Sequence, residues 1–194
     1  GLNLEKEGDE IIDLTGCRII PGGIDAHTHF DMDSPNISTS DDFEAGTKAA
    51  IAGGTTTIID FVNCHRGEAL NDALDIYVKK TENKCYSDYG FHMTLCEWNE
   101  NIEKEMEDMV KKGITSFKMY MAYKGLQVNE EEIKSAVKKS KELGVIILFH
   151  CESGDRITEN IKKLQDANKL EMKYHPISRP AEVELESVKT LIKI

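Results

Sequence analysis

Short apolar segments alternate with longer amphipathic segments along most of the chain. Strands are predicted where β-branched and apolar residues cluster, and helices where apolar residues recur every three or four positions. The predicted strands cover residues 55–62, 86–96, 114–120 and 145–150, after two short β segments at 10–14 and 17–20. The predicted helices cover residues 40–52, 68–80, 102–112, 129–143, 155–170 and 181–194.

This alternation, which lacks hairpin signals, is typical of parallel strands joined by crossover helices. An open nucleotide-binding sheet has no support, because no glycine-rich phosphate motif follows a predicted strand. A complete (β/α)8 barrel needs about 250 residues, whereas this chain has 194. We therefore predict an α/β fold: a partial (β/α)8 TIM-type barrel of about five units over 21–194, of the metal-dependent hydrolase type, after a remnant of an N-terminal β region over 1–20.

Composition and charge narrow the function classes. The formal net charge is −11, which disfavours binding to nucleic acid or to an anionic membrane, since both need basic patches. No apolar run approaches the roughly 20 residues of a membrane span. The five cysteines are odd in number and contain no CxxC pair, which predicts reduced thiols, a cytoplasmic protein and no CxxC-type zinc site.

The strongest chemical signal is the pair His27 and His29, which follows an apolar and glycine-rich run. Residues i and i+2 of a strand point to the same side, so both imidazoles can bind one metal ion. The end of a barrel strand is also where active sites of this fold lie. Two unrelated surface histidines are the alternative, because HxH pairs often arise by chance.

Two further residues occupy comparable positions at strand ends. Lys118 lies inside an apolar strand, where an ammonium is costly to bury, so it needs a carboxylate partner or a reaction that removes its charge. Reaction with CO2 would give an anionic carbamate that can bridge two metals, whereas snorkelling to the rim is the plainer reading. His150 ends the apolar strand at 145–150, and a simple rim histidine is its alternative.

Other candidate groups are assigned lesser roles. Cys151 directly follows His150 and is expected to pack outward against a helix, because adjacent strand residues point to opposite sides. His65 and His175 lie in predicted loops and are expected to be structural or close to substrate rather than metal ligands.

Six segments resemble the dihydropyrimidinase/hydantoinase branch of the amidohydrolase superfamily. They occur in the family's order and extend over nearly the whole chain from about residue 15. They are PGGIDAHTH at 21–29, TSDDFEAG at 39–46, AGGTTTIIDF at 52–61, SFKMYMAYK at 116–124, FHCESGD at 149–155 and SRPAEVE at 178–184.

The resemblance implies a binuclear metal centre, with zinc as the expected metal. His27 and His29 would bind one ion, carboxylated Lys118 (N6-carboxylysine) would bridge both, and His150 would bind the second. Tyr123 would bind substrate and hydrogen-bond the developing oxyanion. The implied reaction is hydrolytic opening of a small cyclic ureide, a dihydropyrimidine or a hydantoin, to an N-carbamoyl amino acid. Relatives of this kind also imply a homo-oligomer, either a tetramer or a dimer.

The family carries a further histidine ligand and a metal-binding aspartate on later strands, and no counterparts occur within these 194 residues. We therefore expect the chain alone to bind metal poorly and to be nearly inactive. A non-catalytic dihydropyrimidinase-related scaffold or signalling protein is one alternative, although such relatives have lost metal ligands. Dihydroorotase and allantoinase are others. Dihydroorotases have an arginine two residues after the second histidine, where it meets the substrate carboxylate. This chain has Asp31 there, an acid that we expect to repel such a carboxylate, so neutral rings fit better.

Overall fold

The structure is a computed structural model that describes residues 10–34 and 37–194, leaving aside the side chains of residues 33, 34 and 37. Its strands are β1 Gly23–Thr28, β2 Asp33–Ser34, β3 Ile37–Ser38, β4 Thr55–Val62, β5 Asp88–Thr94, β6 Ser116–Tyr120 and β7 Ile146–His150. Its α-helices are α1 Phe43–Ala52, α2 Leu70–Thr81, α3 Glu100–Lys111, α4 Glu130–Leu143, α5 Gly154–Asp166, α6 His175–Ser178 and α7 Ala181–Lys193. A 3₁₀ helix, Met172–Tyr174, precedes α6. In this described part, no helix combines the length and apolar character needed to cross a bilayer.

Five strands form one parallel sheet in the order β1-β4-β5-β6-β7. A helix follows each of β4 to β7, and the short antiparallel pair β2–β3 lies between β1 and α1. This five-strand half-barrel confirms the predicted partial (β/α)8 architecture. Because the strands are parallel, all their carboxyl ends lie at the same edge of the sheet.

The beginning of the chain differs from the prediction. Residues 10–22 contain no strand, and a turn in which the Cys17 amide donates to the Leu14 carbonyl (2.8 Å) separates the two segments predicted to be β. Ile11 and Ile19 are exposed, and without a neighbouring strand their β-branched side chains do not impose pairing. The β assignment of 10–14 and 17–20 is therefore wrong. Residues 1–9 lie outside the described residues, and a domain boundary near residue 20 stays a prediction.

Local signals fix the ends of the long helices. Asn129 and Glu132 form a reciprocal capping box at the start of α4, and Gly144 ends this helix in the left-handed conformation (φ 68°). At α1, the Asp42 side chain accepts a hydrogen bond from the Ala45 amide at 2.8 Å. Asp42 and Asn129 thus define where α1 and α4 begin, and Gly144 ends α4 shortly before β7.

The two faces of the sheet have different chemistry. The face toward the helices is apolar, with Ile58, Met93, Phe117 and Met119 all fully buried in the main core. The opposite face, which corresponds to the barrel interior, carries polar and aromatic groups. Alternation along a strand separates the two sets, because successive side chains point to opposite sides. The interior face is therefore where the chemistry-bearing residues meet.

Candidate metal and substrate site

A cavity of about 600 Å³ opens at the carboxyl ends of the strands. All five residues singled out by the sequence, including Tyr123, contribute to its wall. The complete lining is His27, His29, Met32, Asn63, His65, Lys118, Tyr120, Tyr123, Lys124, Gly125, Leu126 and His150. Residues separated by more than a hundred positions in sequence thus face one shared space.

His27 and His29 form a close pair at the end of β1, with His27 exposed and His29 half-buried. Their ring centroids are 5.2 Å apart, and both rings contact buried Phe61 of β4, at 4.5 Å for His27 and 5.0 Å for His29. Burial lowers the pKa of each imidazole, and the positive charge of Lys118 lowers both further. Both histidines are therefore biased toward the neutral form, which is the form that binds metal ions.

Asp60 holds the backbone of this pair from the other side of the sheet. Its Oδ2 accepts hydrogen bonds from Thr28 Oγ1 and from the Phe30 amide, both at 2.8 Å. Its Oδ1 accepts from the Phe61 amide at 2.7 Å. Asp60 is fully buried, and burial raises the pKa of its carboxyl group to about 6, against the opposing effect of these donors. Asp60 thereby fixes the chain on both sides of His29.

Lys118 is 7% exposed. Its Nζ lies 5.8 Å from the ring centroid of Phe61 and 5.3 Å from that of Tyr120. No ion pair is found between this ammonium and a carboxylate of the described residues. Burial lowers the pKa of the amine. The snorkelling alternative is thus disfavoured. The lowered pKa also means that a larger fraction of this amine is neutral, and thus able to react with CO2, than in a solvated lysine.

Two buried polar atoms at this face have no hydrogen-bond partner among the described residues. One is His29 Nδ1 and the other is Thr94 Oγ1, and Thr94 pairs in register with Lys118. Unsatisfied buried polar groups are rare and usually mark a missing ligand, ion or water. The unsatisfied atoms flank the position of the lysine.

His150 and Tyr123 occupy the outer side of the cavity. Their ring centroids lie 4.9 Å apart, and His150 Nε2 is 2.7 Å from Oε2 of Glu152. Tyr123 is 40% exposed and adopts a left-handed backbone with φ 72°, a conformation that is rare for an aromatic residue. The turn after β6 therefore holds this tyrosine over the cavity at some conformational cost.

The other residues considered in the sequence, His65, His175 and Cys151, lie in different surroundings. His65 lines the cavity, whereas His175 lines a different cavity of about 240 Å³ beside α5. Cys151, expected to pack outward, is half-buried. Burial raises the pKa of its thiol. The charge of Lys118 lowers this pKa, whereas the charge of Glu184 in α7 raises it further.

Asp60, Phe61 and His92 are site-supporting residues that the sequence reading did not identify. Each interrupts or ends an apolar run on a predicted strand. A buried carboxylate or imidazole in such a run is costly unless it is paired, and this signal was available for Asp60 and His92. For Phe61 no signal distinguished it from an ordinary core residue.

The donor set fits a metal centre only with modified lysine. In the described ranges, no three His, Cys, Asp or Glu side chains are grouped closely enough to hold an ion. His27 and His29 supply two nitrogen donors, and His150 stands apart beside Tyr123. A carbamate on Lys118 would add two anionic oxygens to this set, which suits divalent cations. The unsatisfied His29 Nδ1 agrees with this fit.

Comparisons with known proteins place this geometry in context. The family model described as "Amidohydrolase family" matches residues 18–190. A D-hydantoinase of Geobacillus stearothermophilus is 42% identical over 189 residues, covering 96% of this chain and 40% of that protein. A dihydropyrimidinase of Dictyostelium discoideum is 42% identical over 99% of this chain and 39% of its own length. The chain thus spans about two fifths of these relatives.

Solved structures give the same result. The crystal structure of dihydropyrimidinase from Brevibacillus agri NCHU1002 superimposes with a TM-score of 0.96 and 39% identity, covering all of this chain and 42% of that one. A crystal structure of D-hydantoinase gives a TM-score of 0.95 at 40% identity, with the same coverage. Sequence and fold agree over the full described sheet, and this chain belongs to the amidohydrolase family.

Proposed function

We propose that this chain carries a binuclear metal site of a hydrolase that opens the rings of dihydropyrimidines or hydantoins to give N-carbamoyl amino acids. The observation that supports this most is the shared cavity, which is lined by His27, His29, Lys118, His150 and Tyr123. The names of the relatives, D-hydantoinase and dihydropyrimidinase, support the choice of substrate class.

In this proposal His27 and His29 hold one metal ion, His150 holds a second, and carboxylated Lys118 contacts both. Zinc is the metal we propose, because imidazole donors suit it. When bound, the ions would lower the pKa of water toward neutrality and polarise the scissile carbonyl. The chain's own residues position these donors and supply a hydroxyl group to the substrate.

Lys118 would acquire its charge by reaction with CO2. The lone pair of the neutral Nζ attacks the carbon of CO2, a new N–C bond forms, and a proton leaves Nζ for solvent. The product is a carbamate with one negative charge. The lowered pKa of this amine favours the step, because it raises the fraction of neutral lysine at a given pH.

Tyr123 would stabilise the transition state by donating its phenolic O–H to the oxygen that gains charge as the amide carbon becomes tetrahedral. Its exposure at the cavity rim leaves the hydroxyl free to reach a substrate. Burial raises the pKa of the neighbouring Tyr120 phenol to about 12. Tyr120 therefore remains protonated and serves as a wall of the cavity.

A neutral ring fits the site better than a carboxylated one. The position after the histidine pair that holds an arginine in dihydroorotases is Asp31, which offers no positive charge. Its carboxylate is directed to Lys80, with Oδ1 3.9 Å from Nζ, and Asp31 does not line the cavity. The absence of an arginine at this position, rather than repulsion by Asp31, is therefore the argument against dihydroorotate. Allantoinase activity is an outcome that the substrate panel below distinguishes.

The setting of the protein is also part of the proposal. All five cysteines are free thiols, which agrees with a reducing, cytoplasmic environment. A homo-oligomer, as a dimer or tetramer, stays a prediction. A non-catalytic scaffold is less well supported, because the four proposed metal-binding positions are all occupied by competent side chains.

A hybrid enzyme tests the proposed function. In it, this chain replaces the matching two fifths of the Geobacillus stearothermophilus D-hydantoinase. We expect two zinc ions per hybrid subunit and turnover of dihydrouracil and hydantoin, with little turnover of dihydroorotate or allantoin. A folded hybrid that binds no metal or opens none of these rings would contradict the proposal. Replacing the hybrid's Lys124 with alanine provides a matched control, because Lys124 also lines the cavity.

A further inference from the structure

His92 lies in the interior face of the sheet, beneath the cavity, and has no counterpart among the proposed ligands. It is 6% exposed and its ring centroid lies 4.7 Å from that of Phe61. Both ring nitrogens have partners on other strands: Nε2 is 2.9 Å from the carbonyl oxygen of Ala26 in β1, and Nδ1 is 2.6 Å from Oγ of Ser116 in β6.

These two contacts bridge strands that do not pair with each other. The sheet order places β4 and β5 between β1 and β6, so the imidazole crosses the concave interior between them. Ala26 directly precedes His27, and Ser116 lies two residues before Lys118 on the same side of β6. The partners of His92 are thus the immediate neighbours of two proposed metal-binding residues.

The chemistry of the partners fixes which nitrogen carries hydrogen. A carbonyl oxygen can only accept, so Nε2 must be the donor to Ala26. The Ser116 hydroxyl can donate to Nδ1, which satisfies both nitrogens of a neutral ring. Because the His92 ring itself is buried, losing either bond would leave one of its nitrogens without a partner and with little access to water.

We propose that His92 is a positioning residue that ties β1 to β6 across the barrel interior and thereby sets the separation between His27 and Lys118. β1 is an edge strand in the described sheet and its pairing with β4 is irregular, with register shifts on both sides of residues 24–25. The ladder alone therefore constrains the histidine pair less than it constrains the lysine, and the imidazole supplies the missing constraint. The link to metal binding rests on the proposed function, whereas the tie itself does not.

Three substitutions of His92 distinguish its hydrogen bond to Ala26 from its hydrogen bond to Ser116. His92→Gln retains a donor at the position of Nε2 and can keep the bond to Ala26. His92→Asn retains a polar atom near the position of Nδ1 and can keep only the bond to Ser116. His92→Leu removes both. Met93→Ala is the matched control, because Met93 is buried on the same strand but faces the helices.

The first measurement is independent of metal. Nitrogen-15 spectra of the 194-residue chain should show the His92 ring with hydrogen on Nε2. Amide exchange at residues 26–28 should be at least about tenfold faster in His92→Leu than in Met93→Ala, when both are compared at equal global stability. A ring with hydrogen only on Nδ1, or equal exchange in these two variants, would overturn the proposal.

The second measurement uses Co²⁺ as the probe, with visible absorption spectra of the chain. If the wild-type chain binds Co²⁺, we expect affinity to fall about 10–100-fold in His92→Leu and His92→Asn. His92→Gln and Met93→Ala should stay close to wild type. Equal affinities in all variants would overturn the proposal. If the wild-type chain binds no Co²⁺ at all, metal binding by this chain fails, and the exchange data alone decide whether the tie exists. Should His92→Leu not fold, the contrast between Gln and Asn decides.

Discussion

The inner and outer halves of the cavity are built in different ways. The inner half, as we name the group beside Phe61, comprises His27 in β1, Lys118 in β6 and His29 directly after β1, and it is supported by buried polar contacts. The outer half comprises Tyr123 and His65 in loops and His150 at the last residue of β7, with Tyr123 substantially exposed. Rigid strands fix donors within the tolerance that metal binding needs, whereas a rim can move with a substrate. The comparison suggests that the residues on strands, including His150, hold metal and that the loop residues Tyr123 and His65 handle substrate.

The largest expected effect comes from removing the bridging group of the inner half. In the hybrid enzyme, Lys118→Ala should lower kcat by about 1000-fold or more, equivalent to roughly 4 kcal/mol of lost transition-state stabilisation. Metal content should fall in parallel. Assays of turnover and bound zinc check this, with Lys124→Ala as the control. Retention of two zinc ions and near-normal turnover would show that the lysine is not a ligand.

A loss confined to catalysis is expected in the outer half. Tyr123→Phe should lower kcat by roughly 100-fold while zinc content stays at the wild-type level, because only the donor to the developing oxyanion is lost. Tyr86→Phe, at an exposed position outside the cavity, should have no effect. If Tyr123→Phe instead removed zinc, the separation of Tyr123 from the metal-holding residues would fail.

A stability effect is expected beneath the inner half. Asp60→Asn places an amide NH2 among three hydrogen-bond donors, and it should cost about 1–3 kcal/mol in the free energy of unfolding. Urea denaturation of the 194-residue chain measures this. Thr158→Val serves as a control, because its hydroxyl makes a bond only to the preceding turn of its own helix.

The pH dependence of the same variant gives a sharper check. The pKa of Asp60 in the folded chain, about 6, lies above the ordinary value of 3.8. The stability linked to its protonation is therefore fully present below the ordinary value and is lost as pH rises through about 6. The advantage of wild type over Asp60→Asn should shrink between these pH values and then level off. An advantage that grows with pH would contradict the assigned environment.

The smallest effect concerns the 194-residue chain itself. We expect weak binding of metal and negligible ring opening, because the described residues bring only two close imidazoles together and place His150 apart. Calorimetric titration with zinc and a ring-opening assay measure these quantities. Turnover close to that of the hybrid enzyme would refute this expectation.

Sequence patterns predicted the parallel sheet because alternation of apolar strands and amphipathic helices reflects local burial. They also located His27, His29, Lys118 and His150, because strand ends converge in this fold. The same reasoning failed at 10–14 and 17–20, where β-branched residues occur but the described part of the chain offers them no partner strand. Strand formation depends on pairing with distant residues, which local composition does not record.

The supporting contacts were harder to predict than the proposed metal-binding residues. Asp60 and His92 act through partners about 24 to 66 positions away in sequence, and such pairs become visible only when the sheet is assembled. The left-handed turn that positions Tyr123 was also not predicted, since the residue is neither glycine nor asparagine. Residue types therefore indicated the chemistry, whereas the geometry that holds them depended on the whole fold.

Anomalous X-ray scattering at the zinc edge, from crystals of the hybrid enzyme, tests the central claim most directly. The account predicts two zinc peaks inside the cavity, one beside His27 and His29 and the other beside His150, with density for a carboxylated Lys118 between them. Peaks outside the cavity, or an unmodified Lys118 with no metal nearby, would contradict it.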